Sequence, residues 1–240
     1  MSKYTNLINE DIREKLEEYI FKNNLSTGDA IPSELQLCKI LNCNRFELRK
    51  AIAKMVGEDI LFTVHGVGTF LAPPKFEENS SSYVGFTSFW QSKGHRSSSK
   101  ILKFVKTEAN LKTANMLGIP LGSAVYELKR LRLIDDVLVS IETSFLEESS
   151  CPGLLTCNLD GTTSLYQVLK EKYGMTVVNQ QQTIRTAKLR QEEADLLCLK
   201  EGTPAFYITA VGLTENGTCI ERSISISRAD RFAIRYQAKQ

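Results

Sequence analysis

Ser33-Glu34-Leu35-Gln36 and Asn44-Arg45-Phe46-Glu47 start 11 residues apart, and this pair restricts the folding of the chain more than any other feature. In each, a short polar side chain that can accept from the third helical N–H is followed three positions later by Gln or Glu, which can reach back. A helix opening at Ser33 must therefore end before Asn44, around Asn42, and another runs from Asn44 to about Asp59. Two short helices joined by a tight turn are the parts of a helix-turn-helix. Upstream, Leu7, Ile8, Ile12, Leu16, Tyr19 and Ile20 recur at helical spacing, which predicts a first amphipathic helix ending near Asn23-Asn24. Downstream, Ile60 to Val64 and Thr69 to Leu71 flank His65-Gly66-Val67-Gly68, two short strands around a glycine-containing turn, hence a wing.

On a wheel of about 100° per residue the third helix turns Leu48, Ala51, Ile52 and Met55 toward the other helices, and Phe46, Arg49, Lys50 and Ala53 away from them. Arg45 and Lys54 lie at the edges of that outer face. Arginine can donate two bonds to a guanine edge, lysine suits phosphates, and an exposed Phe can meet a thymine methyl. A solvated helix carrying a few cations has the same pattern, so the wing supplies the deciding context. Net charge does not: the chain carries +2, and residues 1–71 hold nine Lys and Arg against ten Asp and Glu. The distribution is informative, with Arg45, Arg49, Lys50 and Lys54 within ten residues.

Gly28-Asp29-Ala30-Ile31-Pro32-Ser33-Glu34, Asn44-Arg45 with Leu48-Arg49-Lys50-Ala51, and Gly66-Val67-Gly68-Thr69-Phe70-Leu71 together resemble the signature of the GntR family of bacterial regulators. The resemblance implies that Arg45 and Arg49 read bases, that Ser33 lies near phosphates and that Gly66 enters the minor groove. The residues expected at double-stranded operator DNA are Ser33, Glu34, Arg45, Phe46, Arg49, Lys50, His65 and Gly66. One position departs from the family pattern, where Ser-Arg-x-Thr usually opens the recognition helix. Here Glu47 replaces a phosphate-facing hydroxyl with a carboxylate, whose ordinary role would be to cap Asn44.

Residues 72–82 break both periodicities with proline, charge and serine, and read as a linker between a DNA-binding domain, 1–71, and a second domain, 83–240. The second domain repeats itself weakly at an offset of 80 residues: Ala114, Leu117, Gly122, Tyr126 and Leu128 fall opposite Ala194, Leu197, Gly202, Phe206 and Ile208. Each unit reads as a helix, a turn, a strand and a returning strand, with Asp135-Asp136 and Asn216-Gly217 as the hairpin turns. The expected fold is α+β, a winged helix-turn-helix followed by a pseudo-symmetric domain with an antiparallel sheet and a ligand cleft between its halves.

The repeats differ where it matters. Alternation puts Arg130 and Arg132 on the strand face shared by Tyr126, Leu128 and Ile134, whereas their counterparts are Ala210 and Gly212. Two guanidinium groups on an apolar face need an anion, either a carboxylate of the protein such as Glu142 or a ligand. A second anion position is read at Thr162-Thr163-Ser164-Leu165-Tyr166, where hydroxyl residues open a helix running to Tyr173; a plain N-cap fits equally.

Arg130-Leu131-Arg132, Glu142, Ser164-Leu165-Tyr166, Ile220-Glu221 and Arg228-Ala229-Asp230-Arg231 are similar to the UTRA-type ligand-binding domain of the HutC subfamily, which shares its fold with chorismate lyase. The resemblance covers roughly residues 83–235. It implies that Arg130, Arg132, Ser164 and Tyr166 hold an anion, such as the phosphate of a sugar phosphate, and that Glu142 and Glu221 face the polar body of the effector. It also implies a homodimer that binds a palindromic operator as a repressor. The paired Arg130 and Arg132, with two linker prolines that limit freedom, lead to the expectation that an anionic effector changes how the dimer spaces its DNA-binding domains.

The remaining function classes find little support. Six scattered cysteines without Cys-x-x-Cys, and only His65 and His95, do not compose a metal centre or a disulfide framework. No metal or cofactor is expected. No run of apolar residues is long enough to span a bilayer, and the polar N-terminus lacks the pattern of a secretory signal, so a cytoplasmic protein without membrane contact is expected. An enzyme built on the chorismate-lyase-like domain is the alternative, but no nucleophile–base pair or phosphate-binding glycine loop is present and no catalytic residue is assigned.

Overall fold

The computed structural model describes residues 3–73, 75–79, 85–159 and 161–235, which divide into two compact units, Met1–Lys75 and Phe76–Gln240. In the first, α1 (Lys3–Lys22), α2 (Glu34–Ile40) and α3 (Arg45–Gly57) precede the antiparallel pair β1 (Leu61–Val64) and β2 (Gly68–Leu71). Ile12, Leu16, Leu37, Leu48, Ala51, Ile52, Met55 and Leu61 form its core, so the helical wheel of α3 holds residue for residue. Leu7 and Ile8 fall where no side chain is described. The Ser33 N–H donates to Gln36 Oε1 at 3.0 Å, and Asn44 Oδ1 accepts from the Glu47 N–H at 2.9 Å.

A third stretch of chain joins the wing. Gly28 N–H donates to Leu71 O, Leu71 N–H to Asp29 O and Ile31 N–H to Thr69 O, each at 2.9 Å. These bonds run along β2, so the chain that enters α2 is tied to the wing and delivers Ser33 and Glu34 beside it.

The second unit holds β3 (Phe76–Asn79), α4 (Phe86–Ser92), β4 (Ser97–Glu108), α5 (Leu111–Leu117), β5 (Ala124–Ile134) and β6 (Val137–Glu147). A 3-10 turn (Leu154–Thr156), α6 (Leu165–Tyr173), β7 (Asn179–Lys188), α7 (Gln191–Leu197), β8 (Pro204–Leu213), β9 (Cys219–Arg228) and β10 (Phe232–Arg235) follow. Six strands form one sheet in the order β4-β5-β6-β9-β8-β7 with every pairing antiparallel. Two copies of strand–helix–hairpin thus meet at the β6–β9 seam.

The repeat extends to individual bonds: Gly122 N–H to Ala109 O recurs as Gly202 N–H to Leu189 O, and Ile119 N–H to Ala114 O as Leu199 N–H to Ala194 O. One sheet face packs Val125 on α5 and Leu131 and Ile141 on α7. The other packs Tyr126 and Leu128 on α6, and Ile134 on the Phe89 and Trp90 rings of α4.

The linker assignment needs correction. Residues 76–79, read from sequence within the 72–82 linker, form β3, paired in parallel with β10 in the register Phe76↔Phe232. Phe76 packs against Trp90 and Phe232 with ring centroids 5.4 and 6.2 Å apart, so burial of one aromatic ring outweighs the polar composition around it.

Gly161 fixes the approach to α6. Its carbonyl accepts from Ser99 N–H at 2.6 Å, and a Cβ there would stand 2.7 Å from Ser99 O on β4, too close for any side chain. Gly161→Ala should therefore push the residues before Ser164 off the sheet. Overpacking of this kind costs about 1–3 kcal/mol, expected as a lower urea midpoint for the full chain; a midpoint equal to the parent's would refute the close approach.

Candidate functional site

In the first unit Glu34 lies between the two recognition-helix arginines. Arg45 Nε donates to Glu34 Oε2 at 2.8 Å, and Arg49 Nε to Oε1 at 2.8 Å and Oε2 at 2.9 Å. The bonds from Arg49 and Arg45 hold the Glu34 carboxyl below its ordinary range. All of these bonds use Nε, so the terminal nitrogens of both guanidinium groups stay available for a bidentate partner.

Ser33, Glu34, Arg49, His65 and Gly66 line one concave surface between the start of α2, α3 and the wing. Arg45, Phe46 and Lys50 stand beside it on α3, with Phe46 68% exposed and the Lys50 ammonium 4.3 Å from the centre of its ring. Gly66 turns the wing at a φ of 76°, a conformation that favours glycine. Of the capping box expected at Asn44, the Glu47 N–H donates to Asn44 Oδ1, and no returning bond to the Glu47 carboxylate is present among the described residues. The Glu34 clamp escaped the sequence reading, although a carboxylate one helix away from arginines at i and i+4 was its signal.

In the second unit all six residues expected at the effector, Arg130, Arg132, Glu142, Ser164, Tyr166 and Glu221, line one cavity roofed by Gly85, Phe86 and Thr87. Arg130 and Glu142 are cross-strand partners in the β5–β6 register. Arg130 Nη2 and Arg132 Nη2 both donate to Glu142 Oε1 at 2.6 Å, and Arg132 Nη1 donates to Ser99 Oγ at 2.7 Å. Of the two readings of this pair, the internal carboxylate is thus present, yet it serves two cations with one oxygen. Nε of each arginine is buried and has no hydrogen-bond partner among the described residues.

Ser164 caps α6, accepting from Gln167 N–H at 3.4 Å, and its position corrects a further expectation. The helix start is not a second anion position apart from the arginines, because the fold brings both to the same cavity. Tyr166 donates to Glu221 Oε2 at 2.5 Å. A Cβ on Gly85 would come within 2.9 Å of the Tyr166 ring, and one on Gly212 would stand 3.2 Å from its hydroxyl. Gly212 occupies the position that Arg132 holds in the first repeat, so loss of a side chain there makes room for Tyr166.

Burial, then the Arg132 charge, brings Arg130 down to about 10. Burial alone would raise Glu142, but the Arg132 and Arg130 guanidinium groups outweigh it and hold the carboxyl at about 2. Glu221 moves up through burial and the neighbouring Glu142 charge.

A second cavity adjoins the first, sharing Phe86 and Glu142 with it. It measures about 50 Å³ and is lined by Glu78 of β3, Gln180 and Gln182 of β7, Ser223, Ser225 and Ser227 of β9, and α4 rings including Trp90. Strands of both repeats contribute, in keeping with a cleft across the two halves. The sequence reading missed Glu78 and α4 because it assigned the former to the linker and gave the latter no element.

The arginine–carboxylate contact has a pH signature. Glu142 has a folded pKa of about 2, below its unfolded value of 4.5, so its contribution to stability is present above pH 4.5 and is lost as pH falls toward 2. Glu142→Gln should lower the unfolding free energy at pH 7 by about 3–5 kcal/mol, because two buried cations lose their counter-charge. The gap from the parent should close as pH falls from 4.5 to 2 in chemical denaturation; a gap independent of pH would contradict the assignment.

Known proteins agree with this architecture. Residues 8–71 match the model for "Bacterial regulatory proteins, gntR family", and residues 92–233 match the UTRA domain. The chain is 25% identical over 221 residues to the HTH-type transcriptional repressor NagR of Bacillus subtilis, covering 92% of this chain and 90% of NagR. It is 28% identical over 229 residues to the "Probable fructoselysine utilization operon transcriptional repressor" of Escherichia coli K12, covering 95% and 93%. The crystal structure of PhnF from Mycobacterium smegmatis shares the fold at a TM-score of 0.68 and 24% identity, over 95% of this chain and 99% of PhnF. With a GntR helix-turn-helix, a UTRA domain and relatives named as regulators rather than enzymes, the chain belongs to the GntR family of DNA-binding transcription regulators, in its UTRA-bearing, HutC-type branch.

Proposed function

We propose that this chain is a cytoplasmic, homodimeric repressor that binds a palindromic operator in double-stranded DNA and is controlled by a small anionic metabolite. Arg45 and Arg49 read bases, Lys50 and Ser33 meet phosphates, Phe46 meets a thymine methyl, and the wing at His65 and Gly66 follows the groove. Glu34 positions the two arginines rather than contacting DNA, since a carboxylate facing phosphates would repel them. Such an exposed ion pair is worth about 0–1 kcal/mol, so a base edge can compete for the guanidinium groups at little cost. A dimer follows from operator geometry: two recognition helices on one side of the duplex need half-sites about 34 Å apart.

The observation that carries the effector reading is the unbalanced arginine pair. Two buried guanidinium groups share one carboxylate oxygen and leave both Nε–H donors without a partner, in a cavity that also receives the start of α6. A phosphate or carboxylate entering there would meet two cations, the Ser164 and Tyr166 hydroxyls and the positive end of a helix. Its binding is coupled to operator affinity, with the reciprocity that linkage demands.

Two sets of variants test the division of labour by fluorescence anisotropy on an operator selected from random duplex DNA. Arg49→Ala should cost about 1–3 kcal/mol of specific binding, while Lys50→Ala weakens all sequences alike. Arg130→Met with Arg132→Met should leave operator affinity intact and abolish the response to the effector. An Arg49→Ala protein with parental affinity would sink the base-reading role, and a double variant with an unchanged response would make the arginines structural.

A further inference from the structure

Glu78 is the charged side chain for which the reading above has no use. It sits on β3, in the cavity that has Glu142 and Phe86 as walls in common with the arginine site. No hydrogen bond or ion pair reaches its carboxylate among the described residues, and no Lys or Arg lines that cavity. The walls combine Phe86, Phe89, Trp90 and Phe232, which cannot solvate a charge, with Gln and Ser side chains, and the charge acting on it is another carboxylate, Glu142. Burial, with Glu142 second, pushes its carboxyl up to about 7, as expected for an acid that lacks a counter-ion.

The two adjoining cavities together are therefore dipolar. One end holds Arg130 and Arg132, with Glu142 as their one bonded carboxylate; the other holds Glu78 amid serines, Gln180 and Gln182. The cavity that Glu78 lines measures about 50 Å³, enough for a small polar group. Gln and Ser side chains around it can accept from the remaining ammonium hydrogens.

We infer that the effector is a zwitterion, carrying an amine that the Glu78 carboxylate receives while its anionic group lies on Arg130 and Arg132. The inference rests on the anion reading above and adds the charge of the ligand's other end. A neutral polyol would offer Glu78 hydrogen bonds without a counter-charge, whereas an ammonium group supplies the counter-charge that the cavity lining lacks.

The test is a matched series of ligands measured by isothermal titration calorimetry on the full chain at pH 7.5. Alkyl phosphates of two to six carbons are compared with the ω-aminoalkyl phosphates of the same lengths, with inorganic phosphate as the common fragment. At the chain length that spans the two subsites, the amine should improve affinity at least tenfold over its alkyl partner. In Glu78→Gln that advantage should vanish while the alkyl phosphates bind as in the parent. Equal binding of both series to the parent protein overturns the amine subsite and leaves the anion reading standing. If amines are favoured equally in the parent and in Glu78→Gln, the amine lies elsewhere and the assignment to Glu78 fails. If no member of either series binds, and phosphate does not bind, the anion reading falls and the amine subsite with it.

Discussion

A single carboxylate oxygen shared by two buried guanidinium groups organises the larger domain. Arg130 is 2% exposed and the Glu142 side chain 12%, so neither ion is hydrated to any useful extent and each depends on the other. The contact exists only if β5 and β6 pair with Arg130 opposite Glu142, and a slip of one residue would turn both arginines to the face packed by α5 and α7. The register shift after Arg132 lies just past the pair, so the strands lose regularity only once both cations are aligned. Ser99 extends the arrangement: its hydroxyl accepts from Arg132, and its backbone N–H holds Gly161 and thereby the approach to α6. This register puts both cations on one carboxylate, and Ser99 links it to Gly161, ahead of Ser164 and Tyr166.

The duplicated architecture then becomes useful through its unlikeness. Corresponding strands carry Arg130 and Arg132 in one repeat and Ala210 and Gly212 in the other, a cationic wall against an emptied one. Ala210 lines the second cavity, and Gly212 leaves space for Tyr166, whose hydroxyl then reaches Glu221 from the repeat opposite. A symmetric pair would have put four arginines on β5 and β8 or none. A cavity with distinct ends needs repeats that share a backbone and differ in a few side chains.

Local rules made much of this legible in the sequence. Helix capping, the 3.6-residue period of α3 and strand alternation act over a few residues, so the three helices, the wing and the shared face of Arg130 and Arg132 could be read directly. The offset of 80 residues gave both hairpins, since a repeat makes two weak signals support each other. What stayed hidden depends on contacts between distant segments. Phe76 sits in a stretch of proline, charge and serine, and only Phe232, over 150 residues later, makes β3 a strand. Glu34 is expected at operator DNA from the sequence, but its clamp on Arg45 and Arg49 emerges only where α3 places them against it. The joining of Ser164 to the arginines likewise depends on Gly161 meeting β4, which no local pattern records.

Anion binding by Arg130 and Arg132 would be reported by their Nε–H groups, which have no partner among the described residues. The measurement is a ¹H–¹⁵N spectrum of the arginine Nε–H region of the full chain during titration with inorganic phosphate, with assignments from Arg130→Lys and Arg132→Lys. The two signals should move together, saturably and with one dissociation constant, as the anion binds. Signals from both residues that stay fixed while the exposed arginines of α3 already respond to phosphate would contradict it.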